Sequence, residues 1–118
     1  MTNKRGSKDY LYGVPELLIL RLLEEREMYG YEIVRGIRER SGEAMNFGEG
    51  VIYPLVHSLE KRGLLATRRD NVNGRTRIYY RLNAKGRKAL REKVTHWKKV
   101  TTVIGNILDG NPDGISPA

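Results

Sequence analysis

The stretch that decides the fold runs from residue 50 to residue 82 and reads GVIYPLVHSLEKRGLLATRRDNVNGRTRIYYRL. In its first part, apolar residues recur at the i, i+3, i+4, i+7 spacing that buries one side of an amphipathic helix: Ile52, Leu55, Val56 and Leu59. We therefore predict a helix from about Gly50 to Arg62, with Gly63 as its C-terminal cap. Pro54 would break a helix interior, so we expect it in the first turn or at a local kink.

The second part of the stretch predicts a β-hairpin. Two strand-like segments, Leu64 to Asp70 and Arg75 to Leu82, flank the sequence Asn71-Val72-Asn73-Gly74. Asn-Gly is among the strongest short-range signals for a hairpin turn. Alternate residues of the second segment are apolar and are predicted to face the core: Ile78, Tyr80 and Leu82.

Three further helices complete the predicted order of elements. Apolar periodicity predicts one helix from Val14 to Glu25 and another from about Tyr31 to Arg40. Asn83 is a favourable N-cap for a last helix from Ala84 to about Leu108. The order helix, helix, helix, hairpin, helix is that of a winged helix-turn-helix domain, in which the hairpin is a two-stranded β wing. We predict an α+β fold that is mostly helical, with a long C-terminal helix for dimerisation.

The chain is predicted to divide into four parts. Residues 1–9 are expected to form a basic flexible arm, and residues 10–83 the winged-helix DNA-binding domain. Residues 84–109 are expected to form the dimerisation helix, and residues 110–118 a disordered tail.

Charge points to an anionic partner. The 118 residues carry a net charge of +8, and residues 61–93 contain twelve Lys and Arg side chains against two acidic ones, Asp70 and Glu92. A segregated basic excess of this size favours double-stranded DNA as the partner, ahead of an anionic membrane surface. The longest apolar run, Leu17 to Leu20, is far too short to span a membrane, so we expect a cytoplasmic protein that does not bind membranes.

Catalytic and metal-binding patterns are missing from the sequence. The chain has no cysteine, which excludes a disulfide framework, a thiolate metal site and a cysteine nucleophile. The glycines do not form a dinucleotide-binding or phosphate-binding loop. We predict that the protein is not an enzyme and needs no cofactor and no metal.

The face of the third helix opposite its apolar stripe is a candidate for reading DNA. It carries Tyr53, His57 and Lys61 at i, i+4, i+8 spacing. Helix-turn-helix proteins place such a face in the major groove, where tyrosine and histidine can meet phosphates or base edges and lysine supplies charge. The alternative for Tyr53 is that its ring packs against the wing.

The tip of the wing is the second candidate for DNA contact. Asn73 and Gly74 form the turn, Arg75 lies beside them, and Arg77 shares the face of Arg75. Arginines at a hairpin tip suit the minor groove or its phosphates. The alternative is that these charges only protect an exposed sheet edge. Because Arg68 and Arg69 must point to opposite faces, at most one of them belongs to the same surface.

The last helix has a heptad seam that predicts a homodimer, with docking of the helix on its own domain as the alternative. Its apolar and small residues recur at spacings of four and three: Leu90, Val94, Trp97, Thr101, Ile104 and Leu108. Trp97 is the only tryptophan, and across a two-fold axis it would lie near its mate. Paired indoles, with Val94 and Thr101 beside them, could hold a planar aromatic effector by stacking. The alternative is that Trp97 only fills the interface.

Five segments together resemble the PadR-like family of transcriptional regulators. They are residues 16–20 (ELLIL), 29–33 (YGYEI), 50–55 (GVIYPL), 59–64 (LEKRGL) and 77–82 (RIYYRL), followed by Gly86. The resemblance implies a winged-helix repressor that dimerises through its C-terminal helix, with Tyr53 on the DNA-contacting helix. It also implies that Trp97 matches the position at which some small relatives bind flat aromatic drugs between paired tryptophans. Val51 departs from the family, which often has Thr or Ser there.

We therefore predict a sequence-specific transcriptional repressor that binds a palindromic operator and is released by a small aromatic ligand. One alternative is a non-specific architectural DNA-binding protein. Another is a winged helix used for protein–protein contact, with its basic wing on an acidic partner.

Overall fold

Four helices and one antiparallel sheet form the described part of the chain. The computed structural model describes residues 13–110, so the predicted arm and nearly all of the predicted tail lie outside the described residues. In chain order the elements are α1 (Gly13–Glu25), β1 (Met28–Tyr29), α2 (Gly30–Arg40), α3 (Glu49–Lys61), β2 (Leu65–Val72), β3 (Arg75–Leu82) and α4 (Ala84–Leu108). This order confirms the predicted winged helix, which is mostly helical.

The wing is a hairpin with a two-residue turn. The β2–β3 ladder runs from Leu65 opposite Leu82 to Val72 opposite Arg75. Asn73 and Gly74 both have positive φ, 51° and 80°. Two such central residues are typical of the type I′ turn, whose twist matches that of the paired strands. The predicted four-residue connection was wrong because β2 continues to Val72 and leaves only Asn73 and Gly74 in the turn.

A short third strand was not predicted. β1 pairs with β3, with Met28 opposite Tyr80 and Tyr29 opposite Tyr79, so the sheet order is β1-β3-β2. The predicted two-stranded wing is therefore part of a three-stranded sheet. Because β1 directly precedes α2, this pairing ties the wing to the helical part of the domain.

Helix α3 has the predicted buried stripe. Ile52, Val56 and Leu59 are buried and Leu55 is half-buried against the core. The helix continues through Pro54, which lies in the second turn, so its expected place in the first turn was wrong. Pro54 lacks the N–H that would bond to the carbonyl of Gly50. Gly50 is exposed, and water can satisfy that carbonyl.

A single core joins all the helices to the sheet. It is formed by residues that are each less than a tenth exposed: Val14, Ile19, Leu20, Leu22, Leu23, Met28, Ile33, Val34, Ile37, Ile52, Val56, Leu59, Leu64, Leu65, Tyr80, Leu82 and Leu90. Leu90 is 2% exposed within its own chain, so its assignment to a dimer seam was wrong. Heptad spacing identifies a buried side of a helix but does not say which partner covers it.

Helix α4 is anchored at its start and projects at its end. The Asn83 side chain accepts a hydrogen bond from the Gly86 N–H at 2.8 Å and donates one to the Gly63 carbonyl at 2.9 Å. Further along, α4 packs against α1. Beyond Val100 its apolar residues are exposed, up to 79% for Leu108. Among residues 13–110, no helix is both long and apolar enough to cross a membrane.

Candidate nucleic-acid interface

A groove of about 510 Å³ separates α3 from the wing, and we call it the wing groove. It is lined by residues of β1, the start of α2, α3 and β3: Tyr29, Gly30, Tyr31, Tyr53, Val56, His57, Arg75, Thr76, Arg77, Ile78 and Tyr80. The structure therefore brings together four of the predicted DNA-binding residues, Tyr53, His57, Arg75 and Arg77.

Tyr53 is half-buried, with its ring against the start of α2. A Cβ atom built on Gly30 would lie 2.8 Å from Tyr53 Cε1, so only glycine leaves room for the ring in this position. Burial raises the pKa of Tyr53, and the nearby Glu49 carboxylate raises it further. The hydroxyl therefore stays protonated at neutral pH and can donate a hydrogen bond. The ring packs on the helical part of the domain while it faces wing residues across the groove.

The other two predicted residues of α3 differ in position. His57 is exposed and lines the wing groove one turn after Tyr53. Lys61 is exposed and is the last residue of α3, but it is not among the residues that line the groove. The structure thus places Tyr53 and His57 together and leaves Lys61 at the end of the same helix.

The wing tip presents a positive charge without a countercharge. Asn73, Gly74 and Arg75 are all exposed. No carboxylate of residues 13–110 lies within 4 Å of the Arg75 guanidinium. Arg75 can therefore bind an external anion without breaking an ion pair with residues 13–110.

The outer face of the sheet, on the side away from the core, carries a row of stacked side chains. The Arg77 guanidinium carbon lies 4.2 Å from the centroid of the Tyr29 ring, and Arg68 lies 4.5 Å from that of Tyr79. The two tyrosine rings meet edge to face, with centroids 5.6 Å apart and planes at 78°. Arg68 also donates two hydrogen bonds to the Glu27 carboxylate. We call Glu27, Arg68, Tyr79, Tyr29 and Arg77 the outer stack.

Charge neutralisation is uneven along the basic segment 61–93. Among the described residues, three of its twelve cations form ion pairs: Arg62 and Lys93 with Glu16, and Arg68 with Glu27 and Asp70. The other nine have no carboxylate of residues 13–110 within 4 Å. Exposed cations without such partners raise the local positive potential, which attracts a polyanion.

Tyr31 is a groove residue that sequence reasoning missed. It is 42% exposed in the first turn of α2 and lines the wing groove beside Tyr53. Its position next to Gly30 was visible in the sequence, but a single aromatic residue at a helix start carries no periodic signal. Only the packing of α2 on α3 brings it to the groove.

A second groove, of about 630 Å³, lies between α4 and the start of α1, and we call it the Trp97 groove. Trp97 and Val100 line one side, Val14 and Leu17 the other. The ion pairs of Glu16 with Arg62 (2.6 Å) and Lys93 (2.9 Å) lie at this helix junction. Burial alone would raise the pKa of Glu16, but the hydrogen bonds and charges of its two partners lower it below its ordinary value.

Two residues predicted to surround an effector do not line this groove. Val94 packs against the domain core, and the Thr101 hydroxyl donates to the carbonyls of Trp97 and Lys98, both at 3.1 Å. Of the three residues in that prediction, the structure places only Trp97 in the groove.

Three of the six predicted seam residues, Trp97, Ile104 and Leu108, are large apolar side chains that stay exposed on α4. The large apolar side chains that stay exposed on α4 are Trp97, Val103, Ile104, Ile107 and Leu108, with exposures of 39–79%.

Residues 13–110 hold no cluster of three or more His, Asp or Glu side chains that could bind a metal ion. The described chemistry is thus that of a basic groove and an apolar helix end.

Comparison with known proteins assigns the family. Residues 19–92 match the model of the "Transcriptional regulator PadR-like family". A transcriptional regulator of Mycobacterium tuberculosis is 32% identical over 85 residues, which cover 72% of this chain and 77% of that protein. A PadR family transcriptional regulator of Eggerthella lenta has a similar structure, with a TM-score of 0.77, 31% identity and coverage of 90% of this chain and 92% of that one.

A third similar structure is that of Bacillus subtilis PadR in complex with operator DNA. Its TM-score is 0.64 at 26% identity, and the match covers 69% of this chain and 47% of that chain. Members of the family are transcriptional regulators, which confirms the prediction that this protein is not an enzyme. The match to the family model and the 32% identity over most of the chain lead to one conclusion: this protein belongs to the PadR-like family of transcriptional regulators.

Proposed function

We propose that this PadR-family protein is a homodimeric repressor that binds a palindromic operator and is released by a planar aromatic ligand. The observation that carries the DNA-binding part is the wing groove. It combines the half-buried Tyr53 and the exposed His57 of α3 with the exposed Arg75 of the wing tip, which has no ion-pair partner among residues 13–110. The Bacillus subtilis relative, solved with its operator, supports the same use of the fold here.

In the proposed complex, α3 enters the major groove of the DNA. The Tyr53 hydroxyl donates to a phosphate, His57 contacts a phosphate or a base edge, and Lys61 adds charge at the end of the helix. The wing tip, Asn73-Gly74-Arg75, follows the adjacent backbone into the minor groove. Phosphate contacts fix the position of the protein, whereas contacts to base edges give sequence preference.

The test of this proposal starts with genomic footprinting of the tagged protein to find the operator. Fluorescence anisotropy with that duplex and with a scrambled duplex then gives the affinities over a range of salt concentrations. We expect a strong salt dependence and a preference of about a thousandfold or more for the operator. Equal binding to both duplexes would instead indicate an architectural DNA-binding protein, and no binding to either would refute the proposal.

A matched pair of arginine variants tests the role of the wing tip. Arg75→Ala should weaken binding to both duplexes and lower the slope of log K against log salt by roughly two, as expected for one lost phosphate contact in each protomer of the dimer. Arg91→Ala removes the same charge from the exposed surface of α4, outside the wing groove, and should leave the slope unchanged. Equal effects of the two variants would place the DNA elsewhere.

The proposed dimer rests on the exposed end of α4. Ile104 is 50% exposed, Ile107 66% and Leu108 79%, although all three are large aliphatic residues. With about 1.5 Å of rise per residue, the 25 residues of α4 span about 37 Å, which is long enough to reach a second domain. Pairing of two such ends would bury the apolar residues and hold two recognition helices at a fixed spacing.

Charged substitutions on two faces of α4 test the dimer. The double variant Ile104→Glu and Leu108→Glu should be monomeric in sedimentation and should lose operator affinity, because the two half-sites are no longer bound by one unit. The control is Thr95→Glu with Thr102→Glu, which adds the same charges to exposed residues on the opposite face of α4. A dimeric Ile104/Leu108 variant would refute this interface.

The proposed effector site includes Trp97, which is 42% exposed and lines the Trp97 groove. In a dimer, two such indoles could hold a flat aromatic molecule, and each contact adds about 0.5–1.5 kcal/mol beyond the area buried. Release from DNA requires that the ligand prefer a dimer whose recognition helices are wrongly spaced.

The only tryptophan reports on its own site. Planar aromatic compounds should quench its fluorescence and release the operator, whereas Trp97→Ala should form a dimer that binds the operator and does not respond. If the Ala variant still responds to the compound, the ligand binds elsewhere. A reporter gene downstream of the operator should become active when the regulator is deleted, and loss of expression instead would indicate an activator.

A further inference from the structure

The inference concerns Tyr29 and Gly30, two consecutive residues that touch both candidate DNA-binding elements. The Tyr29 ring stacks under the Arg77 guanidinium of the wing at 4.2 Å. Gly30 provides the space into which the Tyr53 ring of α3 fits. The recognition helix and the wing are therefore held by adjacent residues of one short segment.

The segment that bears Tyr29 contacts the wing at several points. Besides the stack, the β1 backbone pairs with β3 at Met28–Tyr80 and Tyr29–Tyr79. Tyr29 also contacts the Tyr79 ring edge to face. Neighbouring Glu27 accepts two hydrogen bonds from Arg68 of β2.

The connection to the helices is rigid as well. The Tyr29 N–H donates to the Glu32 carboxylate at 3.0 Å, which fixes the start of α2 relative to β1. The segment that bears Tyr29 thus cannot turn independently of α2, on which the Tyr53 ring rests.

We propose that Arg77 and Tyr29 are positioning residues that set the spacing between the recognition helix and the wing, and that Arg77 acts through this stack and not as a phosphate contact. This inference rests on the proposed DNA binding. Arg77 is half-buried and its guanidinium covers the Tyr29 ring, whereas Arg75, two residues nearer the tip, is exposed and unstacked. The two arginines share one strand face but have different roles.

DNA-binding measurements separate positioning from contact. An exposed cation–π pair is worth about a two- to fivefold change in an equilibrium, so Arg77→Ala, which removes one pair from each protomer, should lower operator affinity by roughly four- to twenty-fivefold. Its salt slope and its affinity for the scrambled duplex should stay at the wild-type values, in contrast to those of Arg75→Ala. Tyr29→Leu should have the same effect as Arg77→Ala, and the double variant should be no worse than either single one. Tyr29→Phe keeps the ring and should bind like the wild type.

A second measurement does not depend on DNA. The chain has no cysteine, so spin labels can be attached to Glu60→Cys on α3 and to Asn71→Cys, an exposed residue of β2 near the wing tip. In protein diluted with unlabelled chains, the distance distribution between the labels should broaden with Tyr29→Leu or Arg77→Ala and stay narrow with Tyr29→Phe.

The outcomes distinguish this inference from the proposed function. An unchanged label distance in Tyr29→Leu and Arg77→Ala would overturn the positioning role whether or not the protein binds DNA. A salt slope lowered by about two in Arg77→Ala, one for each protomer, with no effect of Tyr29→Leu, would make Arg77 a phosphate contact. If the label distances respond as expected but the wild type binds no duplex, the proposed function fails and the mechanical coupling of wing and helix stands.

Discussion

Replacing Gly30 with alanine should displace the Tyr53 ring and weaken operator binding while the domain stays folded. The new Cβ would lie 2.8 Å from Tyr53 Cε1, whereas ordinary van der Waals contact begins near 3.4 Å. The ring must therefore retreat by about 0.6 Å at that atom. The hydroxyl is farther from the Tyr53 backbone and moves at least as much, away from the phosphate that we propose it contacts.

The expected magnitudes differ for affinity and stability. A hydrogen bond to a charged group contributes about 1.5–3 kcal/mol, so complete loss of the Tyr53 contact in both protomers would cost about 100- to 10,000-fold in operator affinity. Tyr53→Phe measures that limit, and Gly30→Ala should approach it. For folding, overpacking costs about 1–3 kcal/mol, and alanine recovers up to about 1 kcal/mol of helix propensity. The net loss of folding free energy should therefore be no more than about 3 kcal/mol.

The assay pairs operator titration with urea unfolding for each variant. Gly36→Ala is the matched control, since it changes the same residue type in the same helix and its Cβ would meet only the flexible end of Leu22, at 3.3 Å. This control should shift stability slightly and leave operator affinity unchanged. Wild-type affinity in Gly30→Ala, or an equal loss in Gly36→Ala, would refute the reasoning that Gly30 positions Tyr53.

Three further substitutions have expected outcomes that urea unfolding can check. Gly86→Ala should destabilise the domain by about 3 kcal/mol, because the new Cβ would lie 2.2 Å from the Leu64 carbonyl oxygen and the backbone must move. Wild-type stability of this variant would contradict that close packing. Asn83→Ala should cost about 1 kcal/mol through loss of the α4 N-cap, and Asn83→Ser should recover most of it. Glu16→Gln should destabilise at pH 7. The ion pairs with Arg62 and Lys93 lower the pKa of Glu16 in the folded state. Their contribution to the free energy of unfolding is therefore complete above the ordinary pKa of 4.5, and it is lost as the pH falls through the folded-state pKa. The stability difference between wild type and Glu16→Gln should thus shrink below pH 4.5, and a constant difference would exclude this origin.

The parts of the fold that the sequence predicted are those with a local cause. The stripe of α3, including Ile52 and Leu59, follows from helical periodicity, and the hairpin follows from Asn73-Gly74. Strand β1 was not predicted because its two residues are too few to show an alternating pattern of apolar and polar side chains. Met28 pairs with Tyr80, which lies 52 positions later in the sequence, and only the tertiary fold brings them together.

In the candidate site, too, features set by local spacing could be predicted, whereas contacts between distant segments could not. Tyr53 and His57 share a helix face by spacing alone, and the structure places both in the wing groove. The stacking of Arg77 on Tyr29 could not be predicted, because alternation along β3 gives the face of a side chain but not its neighbour on β1. Heptad spacing is limited in the same way, because it does not identify the surface that covers a residue. The spacing of Leu90 fits a dimer seam, but the residue is buried within its own domain.

The pairing of β1 with β3 has a consequence for the order of folding. The hairpin brings together residues that are close in sequence, so it can form early and at small entropic cost, whereas the β1–β3 ladder closes a loop of about fifty residues. We expect the hairpin to exist before it acquires a fixed direction relative to α3. A nascent or partly unfolded chain would then hold every helix and both long strands without the arrangement that fits DNA, and docking of Met28–Tyr29 would be the step that makes the chain competent to bind.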